Sequence, residues 1–278
     1  MKKKSIFIIT IGISVILLLA VFVIPIVLKR LGIHSDYTGQ RYMVPEGKAL
    51  IITTSHDILG DTGKKTGVFG SEMTAPYYEF LDGRMSVDIA SIKGGEIPID
   101  PLSFHRFVIS DYDERYLKDP VFKNKVINSL RIEEIDFTKY DIIFLAGGWG
   151  AAYDLPYSEE LGRKITEAYK AGKIIGGVCH GPLGLLLAKD ENGLPLVQGR
   201  KITAVTDKQV KELKINITPQ HPERELRAAG ANFESSSAFR DIFANHISID
   251  DRIITGQNQN AGTEVANQMM KVSGGTRR

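Results

Sequence analysis

Blocks of apolar and polar positions alternate along most of the chain and predict an α/β protein. Short apolar runs rich in β-branched residues are typical of buried strands, and amphipathic stretches of helical period follow several of them. The predicted strands cover residues 49–54, 87–90, 140–146, 173–178 and 201–205, with a hairpin within 247–256. The predicted helices cover residues 71–81, with a break or a late start at Pro76, and 158–171, 207–213 and 260–272. Strands that alternate with helices indicate a doubly wound, mostly parallel sheet with helices on both faces, a flavodoxin-like arrangement.

The first part of the chain departs from this pattern. Residues 5–28 carry no charged side chain, and lysines at positions 2–4 and the pair Lys29 and Arg30 flank them. About 20 apolar residues are enough for a helix to cross a bilayer. No small-residue cleavage pattern follows, so the run predicts an uncleaved N-terminal transmembrane helix within an anchor over 1–31. An unusually long signal peptide is the alternative.

The anchor sets the predicted domain organisation and localisation. A polar linker over 32–47 would join it to an α/β domain over 48–273. The lysines at the amino end favour a cytoplasmic N-terminus by the positive-inside rule. The sequence therefore predicts a single-pass protein of the cell membrane, held there by its N-terminal helix, with an extracytoplasmic domain.

Composition limits the partners of this protein. The chain has 278 residues, a formal net charge of +2 and one cysteine. A single cysteine excludes an internal disulfide, and the lack of a basic block argues against a nucleic-acid partner. About 240 residues after the predicted anchor suffice for one α/β domain with a large core. These features do not exclude a small-molecule substrate as the partner.

The only cysteine, Cys179, lies where a nucleophile would be placed. It follows a buried strand, and Gly181 and Pro182 after it predict an abrupt turn into a helix. A side chain on such a turn projects at the carboxyl end of the sheet, as in a nucleophile elbow. The helix dipole is then expected to lower the pKa of the thiol. The alternative is a small cysteine that only packs in the core.

Glycines at the same edge of the sheet could bind an oxyanion. Gly147 and Gly148 end a predicted strand, and Gly181 lies in the turn after Cys179. With the N–H that follows the elbow they could stabilise negative charge, or they could simply form turns. His56 and His105 lack metal-ligand spacing, and no phosphate loop or dinucleotide fingerprint is present. No metal or cofactor is therefore predicted.

Five motifs, in order along residues 49–270, resemble the ThiJ/PfpI superfamily. They are TGVFGSEMTAPYY at 66–78, VDIASIKGG at 87–95 with PIDP at 98–101, LAGGWG at 145–150, VCHGP at 178–182 and ITGQN at 254–258. The resemblance is to the branch of glutathione-independent glyoxalases and chaperone-like proteins. It implies a class I glutamine-amidotransferase-like fold and, since family members often pair, a possible homodimer.

The resemblance also implies roles for two side chains beside Cys179. Glu72 matches the acid that lies against the nucleophilic sulfur, and a carboxyl there should have a raised pKa because burial and a like charge disfavour its ionised form. A protonated Glu72 could donate to the sulfur and exchange protons with substrate. His180 matches the histidine that follows the nucleophile, and its ring could face Cys179 or point away.

The chain departs from the family at the third catalytic position. An acid usually follows the strand equivalent to 201–206 by about four residues, and Val210 stands there instead. Asp207 and Glu212 do not have the matching spacing. His221, in a segment that is also less apolar than the family pattern, is a pocket residue or an exposed loop residue.

Three functional hypotheses follow from these residues. The first is an enzyme that converts a small reactive carbonyl such as methylglyoxal to a hydroxy acid, a glyoxalase III-like lyase, with Cys179 adding to the aldehyde and Glu72 moving a proton. The second is a cysteine hydrolase of amide bonds, a peptidase or a protein deglycase. The third is a chaperone-like or redox-sensing protein in which Cys179 is oxidised. The absence of an acid at Val210 favours the second and third more than the resemblance alone does.

Overall fold

The computed structural model describes residues 2–278, except for the side chains of residues 2–9, 12 and 15–19. Within these residues a central sheet of seven strands dominates the fold. From one edge to the other the strands are β4 (Leu130–Arg131), β3 (Ser86–Ser91), β2 (Lys48–Thr53), β5 (Ile142–Leu145), β6 (Ile174–Val178), β10 (Ile253–Gly256) and β9 (Ile247–Asp250). Short strands form two further pairs, β1 (Tyr42–Met43) with β11 (Thr276–Arg277) and β7 (Lys201–Ile202) with β8 (Asn232–Phe233).

The strands of the central sheet are parallel except for β9, which pairs antiparallel with β10. The α/β architecture therefore agrees with the sequence, but the sheet is mixed. The described helices are α1 (Lys2–Leu31), α2 (Gly70–Asp82), α3 (Asp111–Tyr116), α4 (Pro120–Ile127), α5 (Ala151–Asp154), α6 (Glu159–Lys170), α7 (Asp207–Leu213), α8 (Pro222–Ala228) and α9 (Gly262–Val272).

The core lies on both faces of the sheet because alternate side chains of each strand point in opposite directions. In β2, Ala49 and Ile51 join one apolar cluster, and Leu50 and Ile52 join the other. Side chains of α2 and α9 belong to the first cluster, and side chains of α6 belong to the second. Strands covered on both faces read as continuous apolar runs, and this is why the sequence reveals them.

The prediction that Pro76 interrupts its helix is wrong. Helix α2 continues through Pro76 from Gly70 to Asp82. Proline lacks the N–H that would bond to the carbonyl four residues earlier, so the backbone carbonyl of Glu72 receives no such bond. Burial of most of the helix against the sheet and α9 outweighs this local loss.

The prediction of an N-terminal transmembrane helix is overturned. Among the residues that the structure describes, no helical segment meets the length and hydropathy that a membrane span requires. The side chains of the predicted anchor lie partly outside the described residues. The predictions of a single-pass membrane localisation and of the membrane as a partner depended on this helix and are therefore wrong as well.

The segment predicted as a linker contributes to the folded domain. Tyr42 is buried and its N–H donates to Asn267 Oδ1 at 3.1 Å. Arg41 pairs with the buried carboxylate of Glu79, Nε to Oε1 at 3.2 Å. The adjacent β1 pairs with β11, so this segment and the last residues of the chain lie side by side.

The long stretch between β3 and β5 contains α3, α4 and the edge strand β4. It also contains a short 3₁₀ helix, Pro101–Phe104. Leu102 and Val108, from this stretch, line the pocket at Cys179. The described residues of this stretch thus supply apolar side chains to the pocket at the carboxyl edge of the sheet.

Candidate active site

The residue after β6, Cys179, has the backbone geometry of a nucleophile elbow. Its φ is +59°, in the left-handed region that is strained for residues other than glycine. The backbone is fixed on both sides, because its N–H donates to Gly256 O and its carbonyl accepts from Val205 N, each at 3.1 Å. The side chain is 6% exposed. The two hydrogen bonds hold Cys179 in this strained backbone conformation. In this conformation the sulfur points away from β6 and into a pocket.

Three kinds of groups surround the sulfur of Cys179. The Nδ1 atom of His180 lies 3.3 Å from Sγ. The carboxyl of Glu72, from the first turn of α2, interacts with the thiol. The backbone N–H groups of Gly148 and His180 also point to the sulfur. The structure therefore brings together Cys179, Glu72 and His180, three residues that the sequence predicted to share a site.

Burial favours the protonated form of the Glu72 carboxyl. Burial raises its pKa to about 8, and interactions with Cys179, Gly148 and Gly147 only partly oppose this effect. Its Oε2 atom has no hydrogen-bond partner of normal geometry among the described residues. A buried neutral carboxyl of this kind can donate a proton and accept one back.

The pKa of the Cys179 thiol is raised, contrary to the prediction from the helix dipole. Burial is the main cause, and the charge and hydrogen bond of Glu72 add to it. The N–H groups of Gly148 and His180 favour the thiolate but do not compensate. The segment after the elbow is a five-residue 3₁₀ helix, Gly181–Leu185, and so short an element has little dipole. Cys179 and Glu72 therefore titrate as a pair.

Close packing explains the glycines at this site. A Cβ atom on Gly147 would lie 2.5 Å from Glu72 Oε2, and one on Gly148 would lie 2.3 Å from Phe69 N. Gly148 also has a φ of +91°. Gly181 lies at the start of the 3₁₀ helix, against the carbonyl oxygen of Leu145. Only hydrogen at these positions lets α2 and the elbow approach the end of β5.

His180 is neutral and lacks the acid that would orient its ring. Burial, followed by the charge of His221, lowers its pKa to about 3. Its Nε2 atom is buried without a hydrogen-bond partner among the described residues. Val210, at the position where the family has an acid, is buried in the same apolar cluster as Cys179.

The alternative acids do not replace the missing one. Asp207 Oδ1 lies 3.8 Å from Nδ1 of His221, which itself contacts Arg224. Glu212 Oε2 accepts from the N–H of Asp241 at 2.8 Å. Among the described side chains, the ring of His180 donates no hydrogen bond to either carboxylate. His221 does not line the pocket that contains Cys179.

The pocket at Cys179 is small and mainly apolar. Its volume is about 80 Å³. Its walls consist of Phe69, Glu72, Leu102, Val108, Gly148, Trp149, Cys179, His180, Val205, Gln209, Leu213, Ile215, Ile242 and Gln259. Sequence reasoning missed most of the apolar ones. Trp149 stands inside a quoted motif and could have been found, whereas Ile215 and Ile242 carry no local signal.

The site has no arrangement for a metal ion within the described residues. No group of three or more histidine, cysteine, aspartate or glutamate side chains is placed to hold one there. His56 instead stacks on Tyr153 with ring centroids 4.1 Å apart, and His105 packs near Phe107.

Comparison with known proteins places this geometry in a family. The model of the DJ-1/PfpI family matches residues 65–272. A glutathione-independent glyoxalase of Schizosaccharomyces pombe is 27% identical over 241 residues, which cover 83% of this chain and 98% of the relative. The glutathione-independent glyoxalase HSP31 of Saccharomyces cerevisiae is 30% identical over 168 residues, 59% of this chain and 70% of the relative.

Solved structures of other proteins support the same family assignment. A 24-kDa rapid encystment protein of Francisella tularensis has a TM-score of 0.75 and 33% identity, covering 82% of this chain and 99% of that protein. Glyoxalase III of Candida albicans has a TM-score of 0.73 and 26% identity, covering 81% and 97%. The family resemblance inferred from the five motifs is confirmed, and the chain belongs to the DJ-1/PfpI family.

Proposed function

We propose that this protein is a glutathione-independent glyoxalase that converts small 2-oxoaldehydes such as methylglyoxal to 2-hydroxy acids. One observation carries the proposal. A buried thiol and a buried protonated carboxyl share a small apolar pocket in which Glu72 Oε2 and His180 Nε2 have no partner among the described residues. Unpaired buried polar atoms are costly, and the two oxygen atoms of a 2-oxoaldehyde could pair with both. The names of the relatives support the same activity.

The first step is addition of the Cys179 sulfur to the aldehyde carbon. The reactive form of the pair is the one that has lost a single proton, so that Glu72 accepts the proton of the thiol as the C–S bond forms. The aldehyde C=O double bond becomes a C–O single bond, and its oxygen takes from Glu72 the proton that came from the thiol, which gives a hemithioacetal and restores the Glu72 carboxylate. The N–H groups of Gly148 and His180 face the sulfur and can stabilise negative charge that develops beside it.

The second step moves a proton between two carbon atoms. Glu72, again a carboxylate, removes the proton from the carbon attached to sulfur, and the hydroxyl proton on that carbon passes to the neighbouring oxygen as an enediolate forms. The carboxyl then returns its proton to the neighbouring carbon, which leaves a thioester of the 2-hydroxy acid on Cys179 and the Glu72 carboxylate. Water cleaves the thioester to release the acid and the free thiol. The sequence of steps needs no external oxidant or reductant.

The size of the pocket argues against the other reactions considered from the sequence. A volume of about 80 Å³ admits a molecule of a few heavy atoms. A peptide bond within a protein or a glycated side chain would need an open cleft at Cys179. Turnover of a small carbonyl is therefore the reaction that this geometry supports best.

The experiment is a methylglyoxal assay without added thiol, with the hydroxy acid measured directly. Cys179→Ser should lower kcat/KM by at least about a thousandfold, because the serine hydroxyl is a far weaker nucleophile. Thr166→Ser, on the distant helix α6, is the matched control and should keep full activity. The covalent intermediate should be trapped on Cys179 during turnover. It should be detected as a mass increase of the peptide that contains this residue. Full activity of Cys179→Ser would refute the proposal.

A further inference from the structure

A second cavity lies behind the first turn of α2. Its volume is about 280 Å³, and neither Cys179 nor Glu72 lines it. Its walls come from four parts of the chain: residues 34–41, the first half of α2, the start of α3, and the turn that leads into α9. It shares Gln259 as a wall with the pocket to which the proposed reaction is assigned, but none of the reacting residues.

Two buried polar atoms in the walls of this cavity have no partner among the described residues. One is Oγ of Ser71, a residue that is 1% exposed, and the other is Nε2 of His34. Ser71 and His34 lie far apart in the sequence, and both line the cavity. Their polar neighbours are already paired: Asn260 Nδ2 donates to Ile242 O at 2.9 Å, and Tyr112 Oη donates to Glu79. An unpaired buried hydroxyl and an unpaired imidazole nitrogen point to a ligand that hydrogen-bonds with both.

Around the cavity, three carboxylates face two cations, and the surplus negative charge lies on the exposed side chains of Asp36 and Asp111. Arg41 pairs with Glu79, and Lys29 pairs with Asp36 at 2.8 Å and lies 3.6 Å from Asp111. The imidazole of His34 is neutral, because burial lowers its pKa to about 4. A charged ligand would therefore meet no buried charge left over for it to pair with.

We propose that this cavity is a binding site for a small neutral polyol, with Ser71 Oγ and His34 Nε2 as its principal hydrogen-bonding partners. A hydroxyl group both donates and accepts, so it can pair with Ser71 and with either tautomer of His34. An apolar ligand would leave both atoms unpaired. The volume accommodates a polyol of roughly three to six carbon atoms.

The test is a titration of the full chain, labelled with ¹³C-histidine, with glycerol, erythritol and xylitol. The ring resonance of His34 is assigned by its loss in His34→Gln. It should shift along a saturating curve, while the other five histidines change only in proportion to polyol concentration. Ser71→Ala should weaken binding by about five- to tenfold, the effect of one lost hydrogen bond. Ser86→Ala, an exposed serine outside the cavity, is the control and should bind as the unaltered chain does.

A second measurement covers the case in which Ser71→Ala does not fold. Saturation transfer to the polyol protons needs no histidine signal, and His34→Phe should weaken that transfer to a similar extent. Binding should persist in Cys179→Ser, since that residue lies in the other pocket. Three outcomes would overturn the proposal. The first is a shift of the His34 resonance that never saturates, and the second is polyol binding by both cavity variants equal to that of the unaltered chain. The third is tighter binding of glycerate or protonated ethanolamine than of the polyols.

Discussion

At the scale of single residues, the carboxyl of Glu72 controls the proton content of the site. It interacts with a thiol whose own pKa is raised, first by burial and then by Glu72 itself. The two groups therefore share protons, and the form with one proton removed becomes populated as the pH approaches about 8. The proposed activity should accordingly rise with pH from 6 to about 8, where the pKa of Glu72 lies.

Replacing Glu72 with Gln should lower the pKa of Cys179 while reducing turnover. The substitution removes the like charge and the hydrogen bond that raise the thiol pKa, but it also removes the group that moves the proton. The rate of iodoacetamide alkylation against pH should shift to lower pH, and kcat should fall by about a hundredfold or more. Superimposable alkylation curves for the two proteins would show that Glu72 and Cys179 are not coupled.

The same variant provides an independent readout through stability. A carboxyl whose folded pKa is about 8 binds a proton more tightly in the folded state than in the unfolded chain. The folded protein therefore loses stability as pH rises from about 4.5 to 8, and Glu72→Gln removes this loss. Its gain in unfolding free energy should be larger at pH 8 than at pH 5 by roughly 1 to 3 kcal/mol.

Val210→Glu tests the missing acid. A carboxylate at this position could hold the His180 ring in one orientation, as the third member of a triad does, and would raise the very low pKa of that ring. We expect glyoxalase-type kcat/KM to increase from a low starting level and the imidazole of His180 to titrate at higher pH. Val210→Gln, of equal size and without charge, is the matched control.

The outcome depends on burial, because Val210 is 1% exposed. An unpaired carboxylate there costs several kcal/mol, so circular dichroism must first show that the variant is folded. A folded Val210→Glu protein with unchanged activity and an unchanged His180 titration would mean that the site is complete without an acid.

At the scale of elements, helix α7 depends on one buried carboxylate. Asp241 accepts hydrogen bonds from Thr206, the N-cap residue of α7, at 2.7 Å and from Lys208 in its first turn at 2.8 Å. Burial alone would raise the pKa of Asp241, but these bonds lower it overall. The helix in turn carries Gln209 and Leu213 to the pocket. The geometry of the pocket wall thus rests on this single acid.

Asp241→Asn should lower the unfolding free energy at pH 7 by about 1 to 3 kcal/mol, because charge-assisted hydrogen bonds are lost. The stabilisation from a lowered pKa is present above the ordinary pKa of aspartate and is lost as pH falls through the folded value. The difference between the two proteins should therefore shrink at acid pH. Urea unfolding at pH 7 and pH 3 measures it. Asp251→Asn, in the exposed turn between β9 and β10, is the control and should be nearly neutral.

Elements with strong local signals were predictable from the sequence, and those that depend on distant contacts were not. Helix α7 was predicted with its observed bounds, and Cys179 with Glu72 was found because motifs surround both. The transmembrane prediction rested on the composition of one segment, namely its uncharged positions, its basic flanks and the missing cleavage pattern, and on no contact with the rest of the chain. The cavity at Ser71 and His34 was missed, because it forms only when segments far apart in the chain pack together.

At the scale of the whole molecule, the segment between α1 and β2 stabilises the domain. A chain of residues 32–278 keeps the Arg41–Glu79 pair, the buried ring of Tyr42 and the pairing of β1 with β11. A chain of residues 48–278 loses all three. We expect both to unfold cooperatively, the longer one with the higher unfolding free energy, by about 3 kcal/mol from the burial of Tyr42 and the lost hydrogen bonds.

Guanidinium unfolding of the two truncated chains at matched pH provides the measurement. The variant Arg41→Ala in residues 32–278 isolates the ion pair and should account for only part of the difference. Equal stability of the two chains would show that the segment before β2 lies on the domain without supporting it. Aggregation of the longer chain would instead place the boundary of the folded unit within residues 1–31.

The pairing of β1 with β11 has a topological consequence. The N–H of Arg278 donates to the carbonyl of Arg41 at 2.9 Å, so the polypeptide from Arg41 onwards is almost a closed ring. A ring can be opened elsewhere, and the exposed turn at Leu117 and Lys118 lies outside the strands of the sheet and does not line the pocket at Cys179. A circular permutant joined at Arg41 and Arg278 and opened at that turn would reverse the chain order of Glu72 and Cys179. The site requires the two residues to meet in space, and nothing in its geometry depends on which is synthesised first.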